Sequence, residues 1–232
     1  MEKGKLYIVS TPIGNLGDIT YRAVEVLKSV PFVLAEDTRE SFKLFKRYGI
    51  TTPLISYRDQ NHERIFSKIQ EKLDLGLDLA LISDSGTPLI SDPGFKLVRQ
   101  LRELGYPIQS IPGPSALISA LSISGLPTDK FVFLGFLPKS LTKRKNILEK
   151  YLSLGITVII YESPNRILSL LETITLCCEN NHTVLAKDIT KLREEVLSGT
   201  SRKLLVELNK REFDKHPHGE FVVITYPLLK KE

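Results

Sequence analysis

The segment DLALISDSGTPLISDPG, residues 78–94, joins a short apolar run to a loop of Asp, Ser, Gly and Pro. A continuous apolar run of this length predicts a strand that is buried on both faces, as strands of parallel sheets are. The glycines and prolines that follow predict a turn-rich loop at the carboxyl end of that strand. Asp92 and Pro93 are residue types favoured at an N-cap and at the first position of a helix, so a helix should follow. In the same way, Asp18 is the expected N-cap of an earlier helix over residues 19–29.

Strand patterns and helical patterns alternate along the whole chain, and this alternation predicts an α/β fold. Pro112-Gly113-Pro114 interrupts the alternation near the middle of the chain. We therefore predict two α/β domains, residues 1–113 and 114–232. The second half is predicted to contain four strands, at residues 131–136, 157–161, 183–187 and 220–225.

The composition excludes several classes of protein. The chain has 232 residues, of which 42% are hydrophobic and 25% charged, so it is not a wholly disordered protein. It contains no run of about 18 uncharged apolar residues, which excludes a membrane-spanning helix. Its N-terminus lacks the pattern of a signal peptide. The two cysteines, Cys177 and Cys178, are adjacent in a predicted helix and form neither a disulfide framework nor a zinc site. We expect a cytoplasmic protein that holds no metal.

The charge is compatible with nucleic acid as a partner without establishing it. Lys and Arg number 32 against 27 Asp and Glu, which gives a net charge of +5. A cluster of cations over residues 139–145 follows Pro138 at the predicted start of a helix. This cluster is typical either of RNA contact or of a solvated helix face.

Three loops of the first half could hold a ligand. Residues 11–18, 36–39 and 84–94 each follow a predicted strand and are rich in Gly, Pro or Asp. Ligands of open α/β sheets bind beyond the carboxyl ends of the strands. The loops contain neither the Gly-x-Gly-x-x-Gly pattern of dinucleotide sites nor the lysine of a P-loop. Asp37 and Asp84 each stand at the end of a strand, where a carboxylate serves either a ligand or a helix cap.

Six ordered blocks of the sequence resemble a known enzyme family. They are STPIGNLGDI (10–19), AEDTR (35–39), ISDSGTPLISDPG (82–94), PGPSA (112–116), SGLPT with GFLP (124–138) and YESPNR (161–166). Together they are similar to the bacterial small-subunit rRNA (cytidine-2'-O)-methyltransferases, which are members of the tetrapyrrole methylase superfamily. The similarity runs from about residue 5 to about residue 225.

The resemblance implies two α/β domains of the tetrapyrrole methylase type, with S-adenosylmethionine in the cleft between them, and a homodimer. It also implies methylation of the ribose 2'-hydroxyl of a cytidine in the decoding region of 16S rRNA, within the small ribosomal subunit. The implied cofactor-binding residues are Pro12, Ile13, Gly14, Asp84, Ser85, Gly86, Thr87, Pro88, Ser115, Ala116, Phe136, Leu137, Tyr161 and Pro164.

Methyl transfer to a ribose hydroxyl requires help, because the pKa of that hydroxyl is high. A general base could remove the hydroxyl proton, or a nearby cation could lower the pKa of the hydroxyl. Candidates for these roles near strand ends are Asp37, Glu162 and Lys187. Each of the three could instead be an ion-pair partner, which is the commoner role of such a residue. The Lys187-Asp188 pair also differs from the Arg-Glu pair that we associate with the family.

RNA contact needs cations, and the candidates lie beside the loops or in the basic cluster. They are Arg22, Arg39, Arg58, Lys139, Lys143, Arg144, Lys145 and Arg166. Two other functions stay open: methylation of a precorrin-like tetrapyrrole on the same fold, and RNA binding by a catalytically silent protein. The basic cluster disfavours the first, and the intact Asp84 and Gly86 disfavour the second.

Overall fold

The computed structural model describes residues 2–228, and the chain divides after Ser115 into two units, each built around a five-stranded sheet. The strands of the first unit are β1 (Leu6–Val9), β2 (Phe32–Ala35), β3 (Leu54–Ser56), β4 (Leu79–Ile82) and β5 (Ile108–Ile111). Its helices are α1 (Tyr21–Ser29), α2 (Thr38–Tyr48), α3 (His62–Asp74) and α4 (Phe95–Glu103). The predicted α/β class is confirmed.

All neighbouring strands of the first sheet are parallel, in the order β3-β2-β4-β1-β5. The chain leaves β1 for β2, which lies beyond β4, and leaves β4 for β5, which lies beyond β1. The loops that follow β1 and β4 therefore diverge from a switch point, the place where open α/β sheets bind ligands. Every residue of β4 is buried, as its apolar run predicts.

The first sheet is covered on both faces. Leu27 of α1 and Phe45 of α2 pack with Val33 on one face. On the other face, Phe66 of α3 and Leu97 of α4 pack with neighbouring strand residues such as Leu81. The unit is thus a three-layer sandwich whose strand ends, rather than its faces, are available for chemistry.

Two predicted helix starts were wrong. Helix α1 begins at Tyr21, and Thr20 caps it because its hydroxyl accepts a hydrogen bond from the Ala23 amide at 3.1 Å. Asp18 lies one turn earlier, in a short 3₁₀ turn. Helix α4 begins after Gly94, whose φ of 125° is not helical, so Asp92 belongs to the preceding loop and does not cap the helix.

The second unit contains β6 (Phe131–Phe136), β7 (Thr157–Glu162), β8 (Asn181–Lys187), β9 (Glu195–Gly199) and β10 (Phe221–Pro227). Its helices are α5 (Ala116–Ile123), α6 (Leu141–Leu152), α7 (Ile167–Cys177) and α8 (Ser201–Lys210). The strand order is β6-β7-β10-β8-β9, with β6 and β7 parallel and the other pairs antiparallel. Strand β9 was not predicted from the sequence.

The register of this sheet places four residues in one row along an edge. Phe221 pairs with both Glu162 and Lys187, and Lys187 pairs with Glu195. Helices α6, α7 and α8 pack on the same face through buried residues such as Leu148, which fixes the row against a rigid core. Across residues 2–228, no helix is long and apolar enough to cross a membrane.

Candidate active site

Backbone hydrogen bonds join the loops after β1 and β4 at the switch point. The Thr11 amide donates to the Gly86 carbonyl at 2.8 Å, and the Gly86 amide donates to the Thr11 carbonyl at 3.1 Å. Gly86 has a φ of 77°, which favours glycine. A Cβ at this position would also lie 3.3 Å from Cγ2 of Ile13. The left-handed backbone angle therefore favours glycine here, and an added Cβ would also need the Ile13 side chain to shift by a few tenths of an ångström.

Side-chain hydroxyls extend this link to the loop after β5. The Thr87 hydroxyl donates to the Pro114 carbonyl at 3.2 Å, and the Ser10 hydroxyl lies 2.9 Å from the Thr87 oxygen. Because Thr87 has one proton to donate, Ser10 is the donor in the second bond. A Cβ at Gly113 would lie 3.0 Å from Cβ of Ser10, so the third loop approaches closely as well. Three strand ends are thus held together.

The cofactor-binding residues predicted for the first unit belong to these joined loops. They are Pro12, Ile13, Gly14, Asp84, Ser85, Gly86, Thr87, Pro88 and Ser115. The structure brings them to one edge of one sheet, as ligand binding there would require.

Asp37 and Asp84 also meet at this edge. The Asp84 carboxylate accepts a hydrogen bond from the Asp37 amide at 2.9 Å. Asp37 caps α2 by accepting from the Arg39 amide, and its carboxylate contacts the Arg39 guanidinium at 2.6 Å. The hydrogen bonds from Arg39 hold the pKa of Asp37 well below its usual range. Asp37 is therefore a helix cap that stays ionised, which makes it a weak proton acceptor.

Other carboxyl groups of this edge are shifted in the opposite direction. Burial raises the pKa of Asp92 to about 7, and the nearby charges of Glu36 and Asp84 add to the effect. Burial likewise raises the pKa of Glu36 and of Asp84. The cluster offers hydrogen-bond acceptors to a ligand that carries amine or hydroxyl groups. Sequence analysis did not identify Glu36 and Asp92 as members, although each lies in a loop that follows a predicted strand.

Three predicted RNA-binding arginines lie in the first unit. Arg58 donates to the Glu36 carbonyl at 3.1 Å and keeps about half of its side chain exposed. The Arg39 side chain is 87% exposed despite its contact with Asp37. Arg22 is exposed in the first turn of α1. All three present charge to solvent, so they stay candidates for RNA contact.

In the second unit, Glu162 is fully buried. Its carboxylate accepts from the Ser163 amide at 2.8 Å and lies 3.1 Å from the Arg166 guanidinium, and the side chain has no exposed surface. Burial raises its pKa, while the Ser163 amide and Arg166 oppose that shift. This arrangement leaves no access for a substrate hydroxyl. This burial does not support the predicted catalytic role of Glu162. We interpret Glu162 as the carboxylate that anchors Arg166.

Arg166 and Arg144 act inside the second unit. Arg166 donates to the Leu137 carbonyl at 2.6 Å and so holds the loop between β6 and α6. Arg144 is only 5% exposed and donates to the side chain and carbonyl of Ser169. Its predicted RNA contact does not fit this burial. The four-residue spacing of Arg144 from the buried Leu148 was the sequence signal for this placement.

The cofactor-binding residues predicted for the second unit lie at the ends of β6 and β7 and at the start of α5. They are Ala116, Phe136, Leu137, Tyr161 and Pro164. The rings of Phe136 and Tyr161 are 5.8 Å apart, and the Tyr161 hydroxyl accepts from the Leu117 amide at 3.1 Å. Phe136 keeps 58% of its surface exposed, so it can contact a ligand.

Lys187 lies in the edge row of the second sheet. Its amine is 3.0 Å from Nε2 of His218, whose Nδ1 faces the His216 carbonyl at 2.8 Å. Among the described residues it has no carboxylate ion pair. The neighbouring Asp188 is buried and accepts from the Glu220 amide at 3.0 Å, a structural role that sequence analysis missed.

The remaining candidates form the basic cluster. Lys139, Lys143 and Lys145 are exposed around the start of α6, and Lys145 lies 3.5 Å from Glu149 in an exposed ion pair. These three lysines can meet an anionic partner without desolvating any buried group. Within the described part of the chain, no group of three or more His, Cys, Asp or Glu side chains is placed to hold a metal ion.

Comparison with known proteins identifies relatives for most of the chain. The profile of the family described as tetrapyrrole (corrin/porphyrin) methylases matches residues 5–205. The relative from Haemophilus influenzae named "Ribosomal RNA small subunit methyltransferase I" is 46% identical, covering 95% of this chain and 78% of the relative. A protein of the same name from Thermotoga maritima is 39% identical, covering 95% and 97%.

Solved structures share the fold at low identity. A cobalt precorrin-4 methyltransferase has a TM-score of 0.69 and 15% identity, covering 95% of this chain and 94% of that chain. A diphthine synthase has a TM-score of 0.71 and 13% identity, covering 97% and 90%. These likenesses bear on the fold alone, and they confirm the fold type that the sequence blocks predicted.

Proposed function

The chain belongs to the tetrapyrrole methylase family and is an S-adenosylmethionine-dependent methyltransferase, and we propose that its acceptor is a ribose 2'-hydroxyl of small-subunit rRNA. The proposed target is a cytidine of the decoding region. The observation that carries the proposal is identity of 39–46% over 95% of the chain with relatives named as rRNA small subunit methyltransferases. We further propose that the enzyme is a cytoplasmic homodimer that acts on the small ribosomal subunit.

The donor groups of the first unit fit the cofactor. S-adenosylmethionine has an amine and two ribose hydroxyls but no phosphate, so carboxylates and backbone groups suit it better than a P-loop lysine. The exposed Asp84 and the close approach of the backbone at Gly86 supply such groups. When bound, the cofactor supplies an electrophilic methyl group.

The residues proposed to contact the cofactor are those implied by the family resemblance. Within the first unit they are Pro12–Gly14, Asp84–Pro88 and Ser115, at the joined loops. Within the second unit they are Ala116, Phe136, Leu137, Tyr161 and Pro164. Loops that are held in fixed positions favour methyl transfer. Much of the rate enhancement comes from placing the acceptor oxygen in line with the methyl carbon.

Of the three predicted catalytic groups, Lys187 fits the acceptor hydroxyl best. Asp37 is held ionised by Arg39, and Glu162 is buried against Arg166. The Lys187 amine stands at a strand end, 3.0 Å from Nε2 of His218. A cation there stabilises the negative charge that develops on the acceptor oxygen as its proton passes to solvent water, which lowers the pKa of the hydroxyl. We assign Lys187 this role.

The exposed cations support an RNA partner. Lys139, Lys143 and Lys145 form one patch, and Arg22, Arg39 and Arg58 present charge from the first unit. Phosphate contacts of this kind position an RNA without specifying its sequence. Specificity for one cytidine needs further contacts to the base.

The test offers methyl-labelled S-adenosylmethionine with three acceptors in parallel: free 16S rRNA, small ribosomal subunits and a precorrin. We expect label in the subunit, at one cytidine whose 3' linkage resists alkaline hydrolysis. Label in the precorrin would replace the proposed function with tetrapyrrole methylation. RNA binding without transfer to any acceptor would also contradict it.

A further inference from the structure

A pocket of about 270 Å³ lies beside Lys187 in the second unit, between the sheet and the segment that follows α8. Its floor is apolar and comes from three strands, from α8 and from the segment after it. The floor residues are Leu185, Leu197, Leu208, Phe213 and Phe221. All but Leu197 are at most 7% exposed, so the floor is part of the rigid core.

Aromatic rings form one corner of this pocket. The rings of Phe213 and Phe221 are 5.7 Å apart and nearly perpendicular, and the His218 ring lies 5.8 Å from Phe213. The small exposed parts of the two phenylalanine rings offer an apolar, aromatic surface to a flat heterocycle. Unstacked RNA bases are bound in this way, against aromatic side chains.

The rim of the pocket carries both cations and carboxylates, and Lys187 is the cation of this lining that makes no ion pair with a carboxylate among the described residues. Arg211 is neutralised by Glu195 at 2.5 Å and by Glu207 at 2.8 Å. Lys187 instead contacts Nε2 of His218, and the bond from Nδ1 to a carbonyl leaves Nε2 as the acceptor. An imidazole carries no negative charge, so this contact leaves the charge of Lys187 available to an anionic ligand.

The size and polarity of the pocket favour one nucleotide. Its volume is slightly below the range of about 300–1,000 Å³ that is typical of small-molecule sites, which suits one ring system and excludes a tetrapyrrole. The apolar floor suits a base, and the cation at the rim suits a sugar–phosphate. A base within RNA must first unstack from its neighbours before it can enter such a pocket. Other enzymes that act on single nucleotides unstack their target base in this way.

We propose that this pocket receives the unstacked base of the acceptor nucleotide, with Lys187 at its sugar–phosphate. The inference rests on the proposed function, because it assigns the acceptor's place in that reaction. It also explains why Leu197, on an edge strand, contributes an apolar side chain to the floor of the pocket.

The first test fills the pocket. Leu197→Phe adds volume on the face of β9 that lines the pocket, and Val196→Phe adds the same ring on the opposite face of the same strand. Cytidine 5'-monophosphate is titrated against each full-length protein in the absence of cofactor, with ligand-detected NMR as the readout. We expect Leu197→Phe to weaken binding about tenfold and Val196→Phe to leave it unchanged.

The second test removes the charge, and it decides the matter if Leu197→Phe does not fold. Lys187→Met keeps the apolar stem, while Lys203→Met makes the same change on the exposed face of α8. We expect a loss of at least about fivefold in affinity for the nucleotide with the first variant only. Equal affinity of both variants and the native protein would overturn the inference.

Two controls separate this inference from other outcomes. Displacement of the nucleotide by S-adenosylhomocysteine would assign the pocket to the cofactor and overturn the inference. Methyl transfer to subunits with no pocket-dependent nucleotide binding would overturn the inference and leave the proposed function standing. Pocket-dependent binding without transfer to rRNA would do the reverse, since it retains the nucleotide site and refutes the methylation.

Discussion

The two sheets end in edges that are built by different means. At the first edge, backbone bonds between Thr11 and Gly86 and a chain of hydroxyls hold the loops, and the carboxylates beside them stay partly exposed. At the second edge, a buried Glu162 and the guanidinium of Arg166 hold the loop between β6 and α6. The first edge therefore depends on close approach of backbone, and the second depends on compensation of buried charge.

This difference separates residues that bind from residues that support. Carboxylates of the first edge are partly exposed and suit a ligand. At the end of β7, Glu162 and Arg166 bond to groups within the protein. Arg166 therefore positions Leu137 rather than contacting substrate. Toward β8, the second edge presents the charge of Lys187, which makes no ion pair with a carboxylate among the described residues.

The largest expected effect comes from breaking the buried ion pair between Glu162 and Arg166. Glu162→Ala leaves the Arg166 guanidinium without its carboxylate, and loss of one partner of a buried pair costs about 3–5 kcal/mol. The free energy of unfolding, measured by urea denaturation, should fall by that amount. Glu149→Ala, which removes an exposed partner of Lys145, should cost less than about 1 kcal/mol. Equal costs would refute the contrast between buried and exposed pairs.

The next effect concerns glycine at the first edge. Gly86→Ala forces a side chain into a left-handed backbone and against Ile13, so it should cost about 1–2 kcal/mol of stability. Gly49→Ala has a similar φ, with no atom within 4 Å of the added Cβ, and should cost a similar backbone penalty. Calorimetry with S-adenosylhomocysteine should show weaker binding for Gly86→Ala only. Unchanged affinity would remove Gly86 from the cofactor site.

A smaller effect depends on pH. The pKa of Asp92 rises from 3.8 to about 7 on folding, so the folded state binds the extra proton. Its contribution to stability is present below about pH 4 and is lost as the pH rises through 7. Asp92→Asn should therefore flatten the fall in unfolding free energy between pH 4 and 8, by about 1–2 kcal/mol after solvent screening.

The pH profile has an internal check. The shift of Asp37 has the opposite sign, because its pKa is lowered on folding, and its contribution is lost only as the pH falls below its usual pKa of 3.8. The two windows do not overlap. Parallel profiles for the native protein and Asp92→Asn from pH 4 to 8 would contradict the placement of Asp92 in a desolvating loop.

The smallest effect concerns the basic cluster. Lys143→Ala with Lys145→Ala removes two exposed cations, which should make the slope of log affinity for subunits against log salt shallower by about 1.5. Lys203→Ala with Lys210→Ala, on α8, is the matched control and should leave the slope unchanged. An unaltered slope for the first pair of substitutions would indicate that the basic cluster is only a solvated helix face.

Much of the fold could be predicted because it follows from local patterns. The apolar run of β4 and the glycine- and proline-rich loop after it identify a buried strand and its ligand-facing end. Strand β9 escaped prediction because Glu195–Gly199 mixes polar and apolar residues at the edge of a sheet, where one face meets water. Its existence depends on pairing with β8, which no local pattern encodes.

The candidate site was predictable in its loops and less so in its charges. Gly86 and Asp84 follow from residue type and position at a strand end. The fates of Arg144 and Glu162 depend on which way each side chain points after packing, and charge alone favoured exposure. Helical spacing to Leu148 carried the correct information for Arg144, because residues four apart share one face of a helix.

The most direct measurement for the central claim is nucleoside mass spectrometry of 16S rRNA from subunits incubated with the protein and S-adenosylmethionine. We predict one 2'-O-methylcytidine per subunit, located in the decoding region, with its formation slowed by Lys187→Met more than by Lys203→Met. A methyl group on a base, methylation of a different nucleoside, or no methylation of the rRNA would contradict the account.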